Sequence, residues 1–554
     1  MNIGKLLLIL GATIATASFA AKYEAEAGTL TNDAKKVSDG GASGGAYVDM
    51  QSGNLSINNV NAEKTGKYSL KVRYKVGDYK ENLLKVNGAS AGTLAFEASN
   101  NWTDLSTVVT LNAGSNTILI EKYWGWVSVD YIEVNPYVSE PFKISSNLVT
   151  PNATESAQKL YTFLVNNFGK KTISGVMTGD MGSYSMGADF KTHDDVKEIY
   201  SKGGKYPALV GVDFLFASGP NANSSWNQEY TNKALSLARN LWKQGGIPNF
   251  TWHWKDPLDK QDAFYIKGAT DGTYTDFDFA TAFKSGTTEW NTESAAYKGI
   301  IADVDHIADY FLDLQKDGIA GIFRPLHEAG GKWFWWSINS GKQFAALYRL
   351  VFDRMVKVKG VKNMIWVYNP ISPAVYDWDP GADYYDVIAI DIYNSANDHS
   401  SCSSDFDKFK SASKSSKIIA LTENGPIPDI NNMVKDEAMW SWWMPWYSTW
   451  GSTFSSQTSN AMWKSNLNDE RVITLEDMPG WASYTPVVNS SSSNETQHLA
   501  KAFNLNVSSE ITGIFDMNGH YMGSESALTK LPQGRYIIRS RAAGKTTNSL
   551  YLKK

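Results

Sequence analysis

Cysteine is nearly absent. Cys402 is the only one in 554 residues, so the chain folds without an internal disulfide and depends on the size of its cores, helped by bound metal where there is any. Histidine is scarce as well, at 7 residues, and no Cys or His cluster has metal-ligand spacing, which argues against a catalytic metal. An excess of either charge is also missing. With 52 Lys and Arg against 57 Asp and Glu, the net charge of −5 gives no electrostatic reason to expect nucleic acid or an anionic membrane as partner. Beyond the first residues no apolar run approaches the length of a membrane span. Aromatic residues are what the chain has in plenty, with 20 Trp and 28 Tyr. Their flat rings and polar edges suit the C–H faces and hydroxyl rims of sugars, although cores also absorb many.

Lys5, the apolar run from Leu6 to Thr16 and the small residues Ala17-Ser18-Phe19-Ala20-Ala21 read as a secretory signal peptide over residues 1–21, predicting a secreted or cell-surface protein. Residues 22–137 are strand-like. Tyr68-Ser69-Leu70-Lys71-Val72-Arg73-Tyr74 and Thr117-Ile118-Leu119-Ile120-Glu121 alternate with a period of two, and Asn87-Gly88 marks a tight turn, together predicting an all-β sandwich. Its first strand opens Tyr23-Glu24-Ala25-Glu26 and its last holds Val129-Asp130-Tyr131. First and last strands often adjoin, so Glu24, Glu26 and Asp130 could share one calcium ion; a solvated acidic face is the plainer alternative.

A connector at 138–144 leads to a central region, 145–484, with strand candidates at 172–177, 206–214, 247–254, 321–328, 363–369, 385–393, 417–423 and 439–446. Helical patterns such as 232–244 and 344–357 lie between them. That alternation predicts a (β/α)8 barrel of the TIM type, with a doubly wound open sheet as the alternative. Residues 485–502, including Asn489-Ser490-Ser491-Ser492-Ser493-Asn494, form a polar linker, and 503–554 are strand-like again as a small C-terminal β-module.

Two segments of the central region carry the chemistry. Phe323-Arg324-Pro325-Leu326-His327-Glu328 follows the apolar Gly318-Ile319-Ala320-Gly321-Ile322, and Ile418-Ile419-Ala420-Leu421-Thr422-Glu423-Asn424-Gly425 has the same form. Each reads as a buried parallel strand ending in a glutamate, so Glu328 and Glu423 belong at the C-terminal rim of the barrel. A glutamate that merely caps the next helix is common once but accounts poorly for two. Paired carboxylates in one cleft are the equipment of a glycoside hydrolase. A retaining pair lies about 5–5.5 Å apart, with one carboxyl kept protonated by apolar burial and a nearby negative charge. The other stays ionised beside donors or a positive group, and Arg324, on Glu328's face by strand alternation, can supply that charge.

With Gly331-Lys332-Trp333-Phe334-Trp335-Trp336, these segments make residues 145–484 resemble glycoside hydrolase family 26, chiefly β-mannanases. Carried over position by position, the resemblance implies Glu328 as acid/base at the end of the fourth strand and Glu423 as nucleophile at the end of the seventh. It implies His327 as an aid to the catalytic apparatus, and His253, in Thr251-Trp252-His253-Trp254, and Arg324 as borders of the reacting subsite. Tyr393, ending the sixth strand, would hydrogen-bond the nucleophile with Asp391 in support. Trp333 would touch the sugar and Trp446 would lie beneath it, although Trp442 and Trp443 compete for that role. Residues 22–137, through Tyr23-Glu24-Ala25-Glu26, Ala42-Ser43-Gly44-Gly45-Ala46-Tyr47-Val48 and Val129-Asp130-Tyr131-Ile132, resemble carbohydrate-binding module family 35. That implies a structural calcium at Glu24, Glu26 and Asp130 with carbonyls near Ser43, and sugar contacts from Trp124 and Trp126. The C-terminal stretch resembles modules that some Gram-negative bacteria append to exported polysaccharide-degrading enzymes for sorting, which implies export machinery as a partner; a further binding module is the alternative.

The expected protein is therefore an exported, modular, retaining endo-β-1,4-mannanase acting on mannan-type hemicellulose, with no cofactor in the chemistry. The nearest alternative is the same chemistry on mixed-linkage β-glucan or xylan. A non-catalytic polysaccharide-binding adhesin is an alternative of another class, but a barrel that only binds would need neither Glu328 nor Glu423.

Overall fold

The computed structural model describes residues 21–137, 140–446, 456–485, 510–516, 521–523, 534–542 and 545–553. The expected signal peptide, apart from Ala21, and the linker at 485–502, apart from its first residue, lie outside them.

In residues 21–137 the period of two becomes a sandwich of two antiparallel sheets. Along Gly66–Val76 the side chains of Leu70, Val72, Tyr74 and Val76 enter the core while Lys71, Arg73 and Lys75 alternate outward. One sheet orders Lys35–Ser38, Ala46–Asp49, Ser128–Pro136, Gly66–Val76 and Ser99–Leu111, with Ala21–Glu24 also paired to Ser128–Pro136. The other orders Thr29–Thr31, Asn54–Ala62, Gly114–Lys122, Lys80–Val86 and Ala89–Phe96. First and last strands adjoin, with Glu24 opposite Tyr131, the neighbour of Asp130.

The barrel runs through Thr172–Met177, Leu209–Asp213, Ile247–Thr251, Gly321–Arg324, Met364–Tyr368, Val387–Ile392, Ile418–Asn424 and Trp442–Trp443, each parallel to its neighbour in chain order up to the seventh. The eighth strand pairs with the first. It is joined to the seventh by Ser441 N–H to the Ile419 carbonyl (2.8 Å) and Trp446 N–H to the Asn424 carbonyl (3.0 Å). The ring closes, so the open-sheet alternative fails. Covered on both faces, the strands can be apolar almost throughout, which is why they read as continuous runs rather than alternations. Helices begin where Thr154, Ser224, Ser294 and Ser340 accept a backbone N–H three residues on, leaving one fewer donor without a partner at each start.

The structure departs from expectation in four places. The fourth strand stops at Arg324, because Leu326 and Glu328 adopt left-handed backbone angles (φ 52° and 54°) that leave the ladder. Glu328 therefore sits on the loop beyond the strand, and strand alternation does not relate it to Arg324. The eighth strand is only Trp442–Trp443, and Pro445 beyond it has no N–H to donate to a ladder. Val472–Ile473 adds a further parallel strand beside the first. Between the fifth and sixth strands a single 3-10 turn, Ser372–Ala374, stands in place of an α-helix. Among the described residues no helix is long and apolar enough to cross a membrane.

Val487–Lys554 is a separate compact unit. Its described strands, Tyr521–Gly523, Glu510–Asp516, Gly534–Ala542 and Lys545–Lys553, pair antiparallel in that order.

The sandwich is tied to the barrel by a buried ion pair. Lys67, on Gly66–Val76, reaches Asp407 on helix Ser403–Ala412, with Nζ 2.8 and 2.9 Å from the two oxygens and both side chains under a tenth exposed. Burial raises the pKa of Asp407 and Lys67 opposes that rise. Breaking such a pair strands a buried charge at a cost of about 3–5 kcal/mol, whereas replacing both partners by apolar groups is often neutral. Lys67→Ala is expected to loosen the docking by about 3 kcal/mol, seen as faster hydrogen exchange along Ser403–Ala412. The double variant Lys67→Met with Asp407→Leu should restore most of the protection, and equal losses in both would refute the account.

Candidate active site

Sheet register assembles the centre of the barrel mouth. Strands three and four pair Thr251 with Arg324, and strands six and seven pair Asp391 with Glu423 across a bulge. Arg324 is fully buried in the middle. One guanidinium nitrogen donates to Asn369 Oδ1 (2.8 Å) and Asp391 Oδ2 (2.9 Å), and the other to Thr251 Oγ1 (3.1 Å) and Glu423 Oε1. Burial pulls the pKa of Arg324 down, but Asp391 and Glu423 carry it above the usual range. The second oxygen of Glu423 accepts from the hydroxyl of Tyr393 at 2.7 Å. Both partners of Glu423 are donors, which suits an ionised carboxylate. Tyr393 follows the sixth strand directly, its ring half exposed to the cleft.

Glu328 has a different environment. Trp333 Nε1 donates to its Oε2 at 2.5 Å, and among the described residues no lysine or arginine pairs with it. Burial first, then Asp391 and Glu423, push its pKa well above the usual carboxylate range. Asp391, accepting from Thr422 Oγ1 at 2.6 Å, is pushed up to about 7, chiefly by burial and against the pull of Arg324. One oxygen each of Glu328, Asp391 and Glu423 lies within 4.8 Å of the others. Three carboxylates around one guanidinium cannot all ionise cheaply, and Glu328, the one without an arginine bond, is the natural holder of the proton. The left-handed turn that carries it is pinned by Ala329 N–H to the Asn369 carbonyl (3.1 Å) and by Trp336 Nε1 to the His327 carbonyl (2.8 Å). Two non-glycine residues in that conformation store strain where the chemistry is expected.

Around this core stand the other expected residues. His253, two residues past the third strand, meets His327 through its Nε2 (3.2 Å) and Asp213 through its Nδ1 (2.5 Å). Burial, His253 and Arg324 hold the pKa of His327 well below its ordinary value. Trp333 is partly exposed beside Glu328. Trp446 is partly exposed with its ring 5.9 Å from that of His253, whereas its competitors Trp442 and Trp443 are wholly buried. Asn369, Thr251 and Asp213 went unnoticed in the sequence. All three stand at or just past the C-terminal end of a buried strand, the same signal that singled out Glu423.

In the sandwich, the loop before the last strand presents Trp124 and Trp126 at 49% and 58% exposure. Its shape is set by Asn82 Oδ1, which accepts from the N–H groups of Tyr123 and Gly125 at 2.9 Å. Gly125 has φ 67°, and a Cβ there would lie 2.4 Å from the Gln51 carbonyl oxygen, so only glycine fits between the two rings. On another face Ser43 Oγ donates to Glu24 Oε1 (2.9 Å) and Ser43 N–H to Asp130 Oδ1 (2.9 Å). Arg73 lies 3.4 Å from Asp130, and Lys22 pairs with Glu24 at 3.0 Å. Oε2 of Glu24 and Oε2 of Glu26 are buried with no hydrogen-bond partner among the described residues. Two such oxygens fit a hard cation; the carboxylate of Asp130 is already engaged by Ser43 and Arg73.

Comparison with known proteins agrees with this geometry. The family described as glycosyl hydrolase family 26 matches residues 149–505, and carbohydrate binding module (family 35) matches residues 21–137. A mannan endo-1,4-beta-mannosidase of Thermothelomyces thermophilus is 32% identical over 481 residues, covering 83% of this chain and 91% of that protein. Mannan endo-1,4-beta-mannosidase B of Piromyces sp. is 33% identical over 472 residues, covering 83% and 77%. Among solved structures, the Podospora anserina GH26-CBM35 beta-(1,4)-mannanase is 30% identical with a TM-score of 0.54, covering 84% of this chain and 99% of that one. A beta-mannanase from a symbiotic protist of the termite Reticulitermes speratus, complexed with a gluco-manno-oligosaccharide, is 38% identical with a TM-score of 0.54, covering 62% and 100%.

Proposed function

The chain belongs to glycosyl hydrolase family 26, and from that premise we propose that it cleaves β-1,4-mannosidic bonds inside mannan, glucomannan or galactomannan with retention of configuration. The spacing of the two glutamates carries the mechanism. Oxygens of Glu328 and Glu423 within 4.8 Å suit direct attack, whereas an inverting pair stands about 6.5–9.5 Å apart to admit a water. Glu423, ionised between Arg324 and Tyr393, attacks the anomeric carbon. Glu328 gives its proton to the departing oxygen, then takes one from the water that releases the glycosyl group. The names of the relatives support the manno configuration. Reducing-sugar release from mannan, mixed-linkage β-glucan and xylan tests it: mannan should be preferred by orders of magnitude, and equal rates on β-glucan would reassign the substrate while leaving the mechanism standing.

The sandwich serves this reaction as a sugar-binding module, with Trp124 and Trp126 as stacking platform and Glu24, Glu26 and Asp130 around a structural calcium. Trp124→Ala or Trp126→Ala is expected to weaken binding of soluble mannan by about 1–3 kcal/mol in affinity electrophoresis. A chelator should lower the melting transition of the module, since Glu24 and Glu26 would face each other without a cation; an unmoved transition removes calcium. The apolar leader supports secretion or surface display, and the C-terminal strands support a sorting role with export machinery. Deleting residues 503–554 and following the enzyme across cell fractions tests that role.

A further inference from the structure

Asp213 ends the second barrel strand, is almost fully buried, and spends both oxygens on His253. Oδ1 accepts the backbone N–H of His253 at 3.1 Å, and Oδ2 meets Nδ1 of its ring at 2.5 Å. A carboxylate only accepts, so the proton in the second contact belongs to His253 Nδ1. In a neutral ring Nε2 of His253 is then a bare lone pair. The 3.2 Å contact between the two Nε2 atoms needs a proton as well, and only His327 can provide it. His327 is neutral, so its Nδ1 is bare too. That nitrogen is buried and meets no donor among the described residues. The opposite polarity would make His253 a cation and leave His327 an N–H with nothing to accept it, next to the charge of Arg324.

We propose that Asp213 is a positioning residue for the reaction: it fixes the tautomers of His253 and, through it, His327, and so holds the peptide that carries Glu328. His327 immediately precedes Glu328 inside the left-handed turn, so a ring locked from Asp213 restrains the backbone from which the carboxyl projects. The chain Asp213–His253–His327 has one direction of donation, and its polarity decides whether the buried Nδ1 of His327, in the residue before Glu328, is a lone pair or an N–H. This rests on the role given to Glu328, but its first readout is independent of activity.

Asp213→Asn reverses the polarity without emptying the site. The backbone N–H of His253 still requires the amide oxygen, which turns the NH2 toward His253 Nδ1 and forces each ring into its other tautomer. Nitrogen-15 imidazole spectra of the full chain, assigned with His253→Gln and His327→Gln, should show His253 protonated at Nδ1 and His327 at Nε2. In Asp213→Asn both should be reversed, with kcat lower by about tenfold to a hundredfold and KM within about twofold. Native His327 protonated at Nδ1 overturns the proposal without any variant. So does an Asp213→Asn enzyme that keeps the native tautomers, or that reverses them at unchanged kcat. Native activity in Glu328→Gln would refute the role given to Glu328 and still leave the tautomer result standing, so the two readings fail separately.

Discussion

Glu423→Ala is expected to lower turnover on every substrate by ~10⁴-fold or more, because no other group can form the covalent intermediate. Glu328→Ala is expected to lose about 10²–10⁴-fold on polysaccharide but to keep its first step on aryl glycosides whose leaving group needs no proton. The glycosyl-enzyme then accumulates, since the second step lacks its base. Azide, which needs no deprotonation, should restore turnover of the Glu328 variant and yield the β-configured glycosyl azide. An α-configured first product from the native enzyme would end the retaining account. The pH profile gives a second reading of the same pair. Glu328 acts as an acid, and burial together with Asp391 and Glu423 raises its pKa, so activity should persist at neutral pH and fall as pH rises through that elevated value. Asp391→Asn removes one of the negative charges that raise it, so the alkaline limb should move to lower pH.

The barrel was legible because its strands are buried on both faces, and a run such as Ile418-Ile419-Ala420-Leu421 closed by Glu423 is a pattern few other elements produce. The sandwich was legible through the alternation of Gly66–Val76. The turn at Leu326 and Glu328 was not, because neither residue type favours left-handed angles. The conformation is imposed by partners outside the turn, among them Asn369, far along the chain, and Trp336, on the segment that follows. Asp213, Thr251 and Asn369 escaped notice for a related reason. Each is a single polar residue at a strand end, and only the pairing of neighbouring strands brings Thr251 and Asn369 to Arg324 and Asp213 to His253. The order of importance among the tryptophans was equally hidden, since Trp442, Trp443 and Trp446 differ in burial and not in type.

Arg324→Ala is expected to reduce kcat by about 10²–10³-fold, the loss seen when one preorganised donor is taken from a catalytic charge. The guanidinium is the hub of the site: it bonds Asn369, Asp391, Thr251 and Glu423 from a position with no exposure to water. Its removal leaves two buried carboxylates with no counter-charge, which also predicts a stability cost of about 3–5 kcal/mol in denaturant unfolding. Because Arg324 opposes the rise in the pKa of Glu328, the alkaline limb of activity should move to higher pH in the alanine variant, opposite in sign to Asp391→Asn. Arg324→Lys separates charge from geometry. A lysine restores a positive charge but cannot donate in a planar fork to four acceptors at once. If charge alone matters, the lysine variant regains the native pH profile and most of kcat. If the fork positions Glu423 against the anomeric carbon, the profile returns while kcat stays low, and that split is the expected result. An alanine variant with an unmoved alkaline limb would remove Arg324 from the control of Glu328.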